Sequence, residues 1–247
     1  AHAVKFGIDT KRIGVMGNSA GGYLANLVTM TADVEEFNVG DFLDYSSDTQ
    51  ACCDIFGPTD LASVDEGFPP EAHEYHKSPS ATEALLLNGV TYGRNQSYDI
   101  HDDLVRARWA SPMGYLKTGL PPFLIMHGTN DQMVSIMQSE HLYDGLKALR
   151  VPVDYYQLKD AGHGDDPWFQ QPVIELIVNW FRKQLWINIA PTLSCFPVPA
   201  SNINDFFWIR DNRRLNSREA SSQITTQKGN NSSPRLFFTQ KCSDFFL

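Results

Sequence analysis

Along residues 1–186, short apolar runs closed by glycine or proline alternate with longer stretches of helical spacing. A short apolar run between turn residues fits a strand of a buried parallel sheet, whereas apolar positions three and four apart fit a helix lying on it. The first run, Ile13-Gly14-Val15-Met16, is expected to fill a buried parallel strand, with residues 23–28 following as a helix packed under the sheet. Ala51-Cys52-Cys53-Asp54-Ile55-Phe56 is the next strand, stopped by Gly57-Pro58. Residues 122–127 form another, closed by Gly128, and 153–158 an alternating one. Met137, Leu142, Leu146 and Leu149 make 135–149 an amphipathic helix, and 168–186 carries a strong closing helix through Val173, Ile177 and Trp180. Residues 1–6 read as the last turns of a helix, with Gly7 just past its end. Strands alternating with helices predict an α/β fold with a mostly parallel sheet, whose ligands bind at the carboxyl ends of the strands.

Two stretches break the alternation. Residues 65–110 hold Pro69-Pro70, a histidine-rich patch, a helix and a second helix ending near Trp109. Ser80 and Glu83 have the spacing of a capping box before Ala84-Leu85-Leu86-Leu87. This stretch reads as a lid-like helical insertion over the sheet that shapes the mouth of the site. From 187 to 247 the chain is rich in Pro, Ser, Asn, Gln and Thr, broken by clusters such as Phe206-Phe207-Trp208 and Phe245-Phe246. It carries seven Lys/Arg against four Asp/Glu, a net +3 that leaves −12 for residues 1–186. Without periodicity, 187–247 is expected to be a poorly ordered tail. Residues 32–50 are polar and acidic and read as a surface loop.

The formal net charge of −9 argues against a nucleic-acid partner and against an anionic membrane surface. No apolar run reaches the length of a membrane span, so a soluble protein is expected. Four scattered cysteines give no disulfide framework, and Cys52 and Cys53 read as small core residues. The chain starts without Met and without a leader pattern, and is expected to begin inside a longer protein. Secretion is expected only where an upstream part supplies a signal peptide, and nothing in the pattern specifies an oligomeric state.

The candidate chemistry gathers at strand ends. Gly17-Asn18-Ser19-Ala20-Gly21 is a G-x-S-x-G sequence between a strand and a helix, the context of a nucleophile elbow. Such a turn is too tight for side chains on either flank, and it lifts the Ser19 hydroxyl above the sheet. The Ala20 N–H at the helix start is then an oxyanion donor. Asp131 and His163 follow two further strands, giving the chain order Ser, Asp, His. Serine needs an adjacent base, histidine can take and return the proton, and an aspartate holds the imidazole tautomer. Asp60, well placed to cap a short helix over 61–64, is the backup for the acid. Glu71-Ala72-His73-Glu74-Tyr75-His76 has its histidines three apart rather than four and reads as a solvated loop, not a metal site. His127 is expected to support the loop carrying Asp131, and His101 to sit at an exposed helix start. No cofactor and no metal are expected.

Gly17-Asn18-Ser19-Ala20-Gly21-Gly22, Phe56-Gly57-Pro58-Thr59-Asp60-Leu61, Ala110-Ser111-Pro112, residues 121–131 and Ala161-Gly162-His163-Gly164 together resemble the α/β-hydrolase carboxylesterases. The likeness is to the branch holding hormone-sensitive-lipase-like and bifunctional acetyl-/feruloyl-esterase-like enzymes. It covers about residues 1–186, which the resemblance makes a catalytic domain. It implies Ser19 as nucleophile, Asp131 as acid and His163 as base, acting on a small-molecule or polysaccharide-linked carboxylic ester. Acetyl or hydroxycinnamoyl groups on plant polysaccharide are the implied acyl groups. An oligopeptidase-type serine peptidase and a catalytically silent binding module are the alternatives. Members of the family carry further strands and a His-Gly-Gly-type oxyanion loop ahead of the elbow, and eighteen residues precede Ser19 here. Residues 1–247 alone are therefore expected to be weakly active or inactive.

Overall fold

The computed structural model describes residues 1–89, 99–186 and 207–209. All lie in the unit Ala1–Asp211; the second unit, Asn212–Leu247, is outside the described residues. Among the described residues one sheet is built from β1 (Gly14–Asn18), β2 (Ala51–Ile55), β3 (Phe123–Gly128), β4 (Val153–Leu158) and β5 (Phe207–Ile209), hydrogen-bonded in that order. The first four strands are parallel and β5 runs antiparallel to β4. The short α1 (Ala3–Phe6) ends on Gly7 at φ 65°. Parallel pairing requires crossovers. These are α2 (Ala20–Met30) from β1 to β2, then α3 (Pro70–His76), α4 (Thr82–Asn88) and α5 (Leu104–Trp109) from β2 to β3. The last crossover is α6 (Ile136–Ala148), and α7 (Gln171–Leu185) follows β4.

Side-chain alternation divides each strand between two apolar layers. Ala51, Cys53, Ile55, Leu124 and Met126 face α7, where Val173, Leu176 and Trp180 cover them. Cys52, Phe123, Ile125 and Tyr155 face the other way, toward Ala25 and Met30 of α2 and Leu142 and Leu146 of α6. Asp54 and His127 fall on this second face by register, and both are fully buried. A third cluster joins the 65–110 stretch to the sheet layer: Leu87, Ile100 and Ala107 pack with Tyr23 of α2 and with Leu61 and Val64.

Several expectations are corrected. β1 is not buried on both faces. Among the described residues it pairs only with β2, and Met16 is 51% exposed. The closing helix begins at Gln171 rather than 168, after a separate 3₁₀ turn at Asp166–Phe169. Pro172 has no N–H and fits only a first helical turn, so α7 starts beside it. Residues 71–76 are helix, not loop, with Pro70 in the first turn of α3. The capping box does not form. Ala81 occupies the cap position, the Ser80 hydroxyl bonds Ser78, and Glu83 turns inward to the buried His76 at 2.6 Å. Within 187–247, expected to be a poorly ordered tail, Phe207–Ile209 is β5; the rest of that stretch lies outside the described residues. No helix among the described residues is long and apolar enough to cross a membrane.

Candidate active site

Ser19 stands between β1 and α2 at φ 54°, ψ −122°, a conformation that costs a non-glycine residue about 1–3 kcal/mol. The surrounding contacts hold it there. Its N–H donates to the Ile55 carbonyl at 2.9 Å, and its carbonyl accepts from the Tyr23 N–H at 3.1 Å. A Cβ on Gly17 would lie 2.2 Å from the backbone of Gly21, so glycine is required on that flank. On the other flank the steric reading shifts by one residue. A Cβ on Gly21 would meet only Asn18 Oδ1 at 3.9 Å, whereas one on Gly22 would lie 2.2 Å from Asp54 Oδ1. Ala20 opens α2, and the first N–H groups of a helix have no intrahelical acceptor.

Asp131 and His163 reach Ser19 because the loops after β3 and β4 are laced together. Thr129 N–H donates to the Leu158 carbonyl at 3.0 Å and Asn130 N–H to the Ala161 carbonyl at 2.9 Å. Asp131 Oδ1 accepts from the N–H groups of Met133 (2.8 Å) and Val134 (3.0 Å), which aims Oδ2 at His163 Nδ1, 2.7 Å away. His163 Nε2 lies 2.8 Å from Ser19 Oγ. The imidazole also rests on Phe56, ring centroids 4.6 Å apart, and Phe56 in turn meets Trp168 edge-on at 4.7 Å. The Trp168 indole N–H donates to the Gly162 carbonyl at 2.8 Å, closing the loop on itself.

Burial by itself would raise the Asp131 carboxyl. Hydrogen bonds from His127 and His163, and then from the Val134 and Met133 amides, outweigh it and hold the group well below the usual carboxylate range. An ionised Asp131 can only accept, so His163 Nδ1 carries its hydrogen and Nε2 is left to accept the Ser19 hydroxyl proton. His127 supports this loop, as expected. Its Nε2 is 3.0 Å from the Val134 carbonyl and 3.5 Å from Asp131 Oδ2, and its Nδ1 is 2.7 Å from Ser139 Oγ. The three groups thus form an unbroken relay able to move a proton from a serine hydroxyl to a leaving group.

The other candidates are placed elsewhere. Asp60 is not joined to His163; it caps the 3₁₀ turn Leu61–Ser63, accepting from Ala62 N–H at 3.0 Å and the Ser63 hydroxyl at 3.1 Å. His73 pairs with Asp65 at 2.9 Å and His76 with Glu83, so both histidines of the 71–76 segment are engaged. His101 is half-buried rather than exposed, 3.8 Å from Asp65 and 3.5 Å from Asp99. Among the described residues no group of three or more His, Cys, Asp or Glu could hold a metal ion. Burial pushes the Cys52 and Cys53 thiols up, which leaves neither as a nucleophile. A cavity of about 530 Å³ lined by Thr29, Asp33, Gln50 and Lys117 lies at the amino-terminal ends of the strands, away from Ser19. Sequence reasoning missed Phe56 and Trp168, which stand on the His163 side of the site. The aromatic at 56, directly after a strand and before Gly57-Pro58, was the available signal.

The BD-FAE family model matches residues 1–146. Among characterised proteins the chain is similar to esterase LipC of Mycobacterium tuberculosis (strain ATCC 25618 / H37Rv), 32% identical over 169 residues, covering 67% of this chain and 38% of LipC. The chain spans little more than a third of the length of the first two such relatives it matches. Among solved structures it is similar to a truncated form of a carbohydrate esterase from gut microbiota, with a TM-score of 0.62 and 24% identity over 74% of this chain and 63% of that one. A bifunctional GH43-CE protein of Bacteroides eggerthii gives a TM-score of 0.62 and 26% identity, over 74% of this chain and 23% of that one. These likenesses make the fold that of the α/β-hydrolases.

Proposed function

The chain belongs to the BD-FAE family, and from that membership and the relay at the strand ends we propose that it is the catalytic part of a carboxylic ester hydrolase. Ser19 Oγ attacks the acyl carbon while His163 Nε2 takes its proton. Charge developing on the carbonyl oxygen is met by the Ala20 N–H at the start of α2. The tetrahedral adduct collapses as His163 returns the proton to the departing alcohol, leaving an acyl-enzyme on Ser19. Water, deprotonated by the same imidazole, then releases the acid. Throughout, Asp131 holds the imidazole in the tautomer that accepts from Ser19 and offsets the charge it gains.

The observation that carries this reading is the pair of short contacts, 2.8 Å from Ser19 to His163 and 2.7 Å from His163 to Asp131. The similarity to LipC supports ester rather than peptide chemistry. For the substrate we propose acetyl or feruloyl esters of plant polysaccharide, which the bifunctional GH43-CE protein among the structural neighbours supports. The 65–110 stretch, of which residues 90–98 lie outside the described residues and Leu87, Ile100 and Ala107 pack with Tyr23 and Leu61, is proposed to shape the entrance.

The test is reaction of the full-length protein with a fluorophosphonate probe, p-nitrophenyl acetate, a feruloyl ester and a peptide substrate. The reading expects the probe on Ser19, ester turnover exceeding peptide turnover, and loss of both labelling and turnover in Ser19→Ala. Peptide turnover exceeding that of every ester supports a peptidase instead. A full-length protein that binds esters without labelling or turnover is a binding module.

A further inference from the structure

We propose that Asp54 is a positioning residue for the reaction. Its buried carboxylate fixes the turn after β2, which seats both the Ser19 backbone and the His163 ring. This inference rests on the esterase reading above. Asp54 lies opposite Gly17 in the β1–β2 register, on the face of β2 turned to α2, and is fully buried. Its two oxygens are divided between two elements. Oδ1 accepts from the Gly57 N–H at 2.9 Å, closing the turn back onto the strand. Oδ2 accepts from the Asn26 side chain of α2 at 2.7 Å, and Asn26 Oδ1 accepts in turn from the Cys52 thiol at 3.7 Å.

The space for that carboxylate is built from glycine on both sides. A Cβ on Gly22 would lie 2.2 Å from Asp54 Oδ1 and one on Gly57 2.5 Å from the same atom. A buried carboxylate carries a large desolvation penalty, which an apolar side chain at the same place in the sheet would avoid. What the carboxylate provides is a fixed geometry for residues 55–57. Ile55 offers the carbonyl that receives the Ser19 N–H at 2.9 Å. Phe56, held at φ 44° with its N–H on the Met126 carbonyl at 2.7 Å, presents the ring on which His163 rests. The nucleophile and the base therefore share one three-residue support, and Asp54 holds it to β2 and α2 without touching substrate. A displacement of the order of 1 Å at such a support can cost about 10²-fold in rate while leaving substrate affinity intact.

The experiment measures kcat, KM and the rate of fluorophosphonate labelling in the full-length protein, its Asp54→Asn variant, and the double variant Asn26→Asp/Asp54→Asn, which exchanges the two partners. Circular dichroism and the thermal midpoint identify the folded variants. The inference expects D54N to lose about 10- to 10²-fold in kcat and in labelling rate with KM within about twofold, and the exchange to recover most of the loss. Where D54N does not fold, Asn26→Ser carries the test. It removes one donor and leaves Gly57, and a smaller fall in kcat at unchanged KM is expected. A folded D54N or N26S with wild-type kcat overturns the inference, as does an exchange that restores the thermal midpoint without restoring kcat. Wild-type protein lacking both turnover and labelling refutes the esterase reading and this inference together. Wild-type activity shared by the variants refutes this inference alone.

Discussion

The backbone of Gly128 passes so close to Ala161 that a Cβ on the glycine would lie 2.3 Å from the Ala161 carbonyl oxygen. This contact joins the loop that carries Asp131 to the loop that carries His163. Gly128→Ala is expected to push the two loops apart, lowering kcat by about 10²-fold and stability by about 1–3 kcal/mol. Steady-state kinetics and urea denaturation of the variant check both figures.

Asp131→Asn keeps an oxygen for the Met133 and Val134 amides but turns an NH₂ toward His163 Nδ1. The imidazole must then accept at Nδ1 and carry its hydrogen on Nε2, where it can no longer receive the serine proton. A fall of about 10⁴-fold in kcat is expected, with KM little changed and the fold intact. Near-wild-type turnover in this variant contradicts the assigned role of Asp131.

Stability should depend on pH through Asp54. Burial, as the largest influence, raises its carboxyl from 3.8 to about 6, against the lowering effect of Asn26, Gly57 and His127. The folded state thus binds this proton more tightly than the unfolded state. The stabilisation is complete below about pH 4 and is lost as pH rises through about 6, a change of order 3 kcal/mol. Asp131 has the opposite sign: its hydrogen bonds hold it low, so its contribution is present above about pH 4 and is lost in acid. Denaturation of wild type and Asp54→Asn at pH 4, 5, 6 and 7 isolates the first effect. The free-energy difference between the two proteins should move in favour of the variant as pH rises, and a difference independent of pH rules it out.

Gln138 of α6 is fully buried, and its side chain serves three backbone groups. Its Oε1 accepts from the Thr59 and Asp60 N–H groups, both at 2.8 Å, and its Nε2 donates to the Ser63 carbonyl at 2.9 Å. Gln138→Leu strands all three in an apolar site, each worth about 1–3 kcal/mol. The variant is expected to unfold well below the wild-type midpoint in a thermal melt, while Gln138→Glu, which keeps the acceptor, loses less.

The three side chains that the fold brings together were legible in the sequence because each sits immediately past a strand with its own apolar signature. Ser19, Asp131 and His163 could be placed on one rim before any distance was known. What stayed hidden depends on partners far along the chain. Gln138 reads as an ordinary polar residue on an amphipathic helix, and only the fold brings residues 59–63 against it. Asp54 sits in an apolar strand run without any local sign of its Asn26 partner. Glu83 has the spacing of a cap, yet burial against His76 gives it a different task. The apolar run at 13–16 promised a covered strand, but apolarity cannot tell a central strand from one that, among the described residues, pairs on one side.

The bond between Ser19 and His163 spans 144 positions of the polypeptide, and that between His163 and Asp131 spans 32. A ribosome must therefore synthesise almost the whole of residues 1–186 before the hydroxyl meets its base. Until then the emerging chain carries a serine hydroxyl with no base beside it. On the proposed chemistry, labelling of Ser19 by a covalent serine probe therefore reports that β4 and the loop after it have docked.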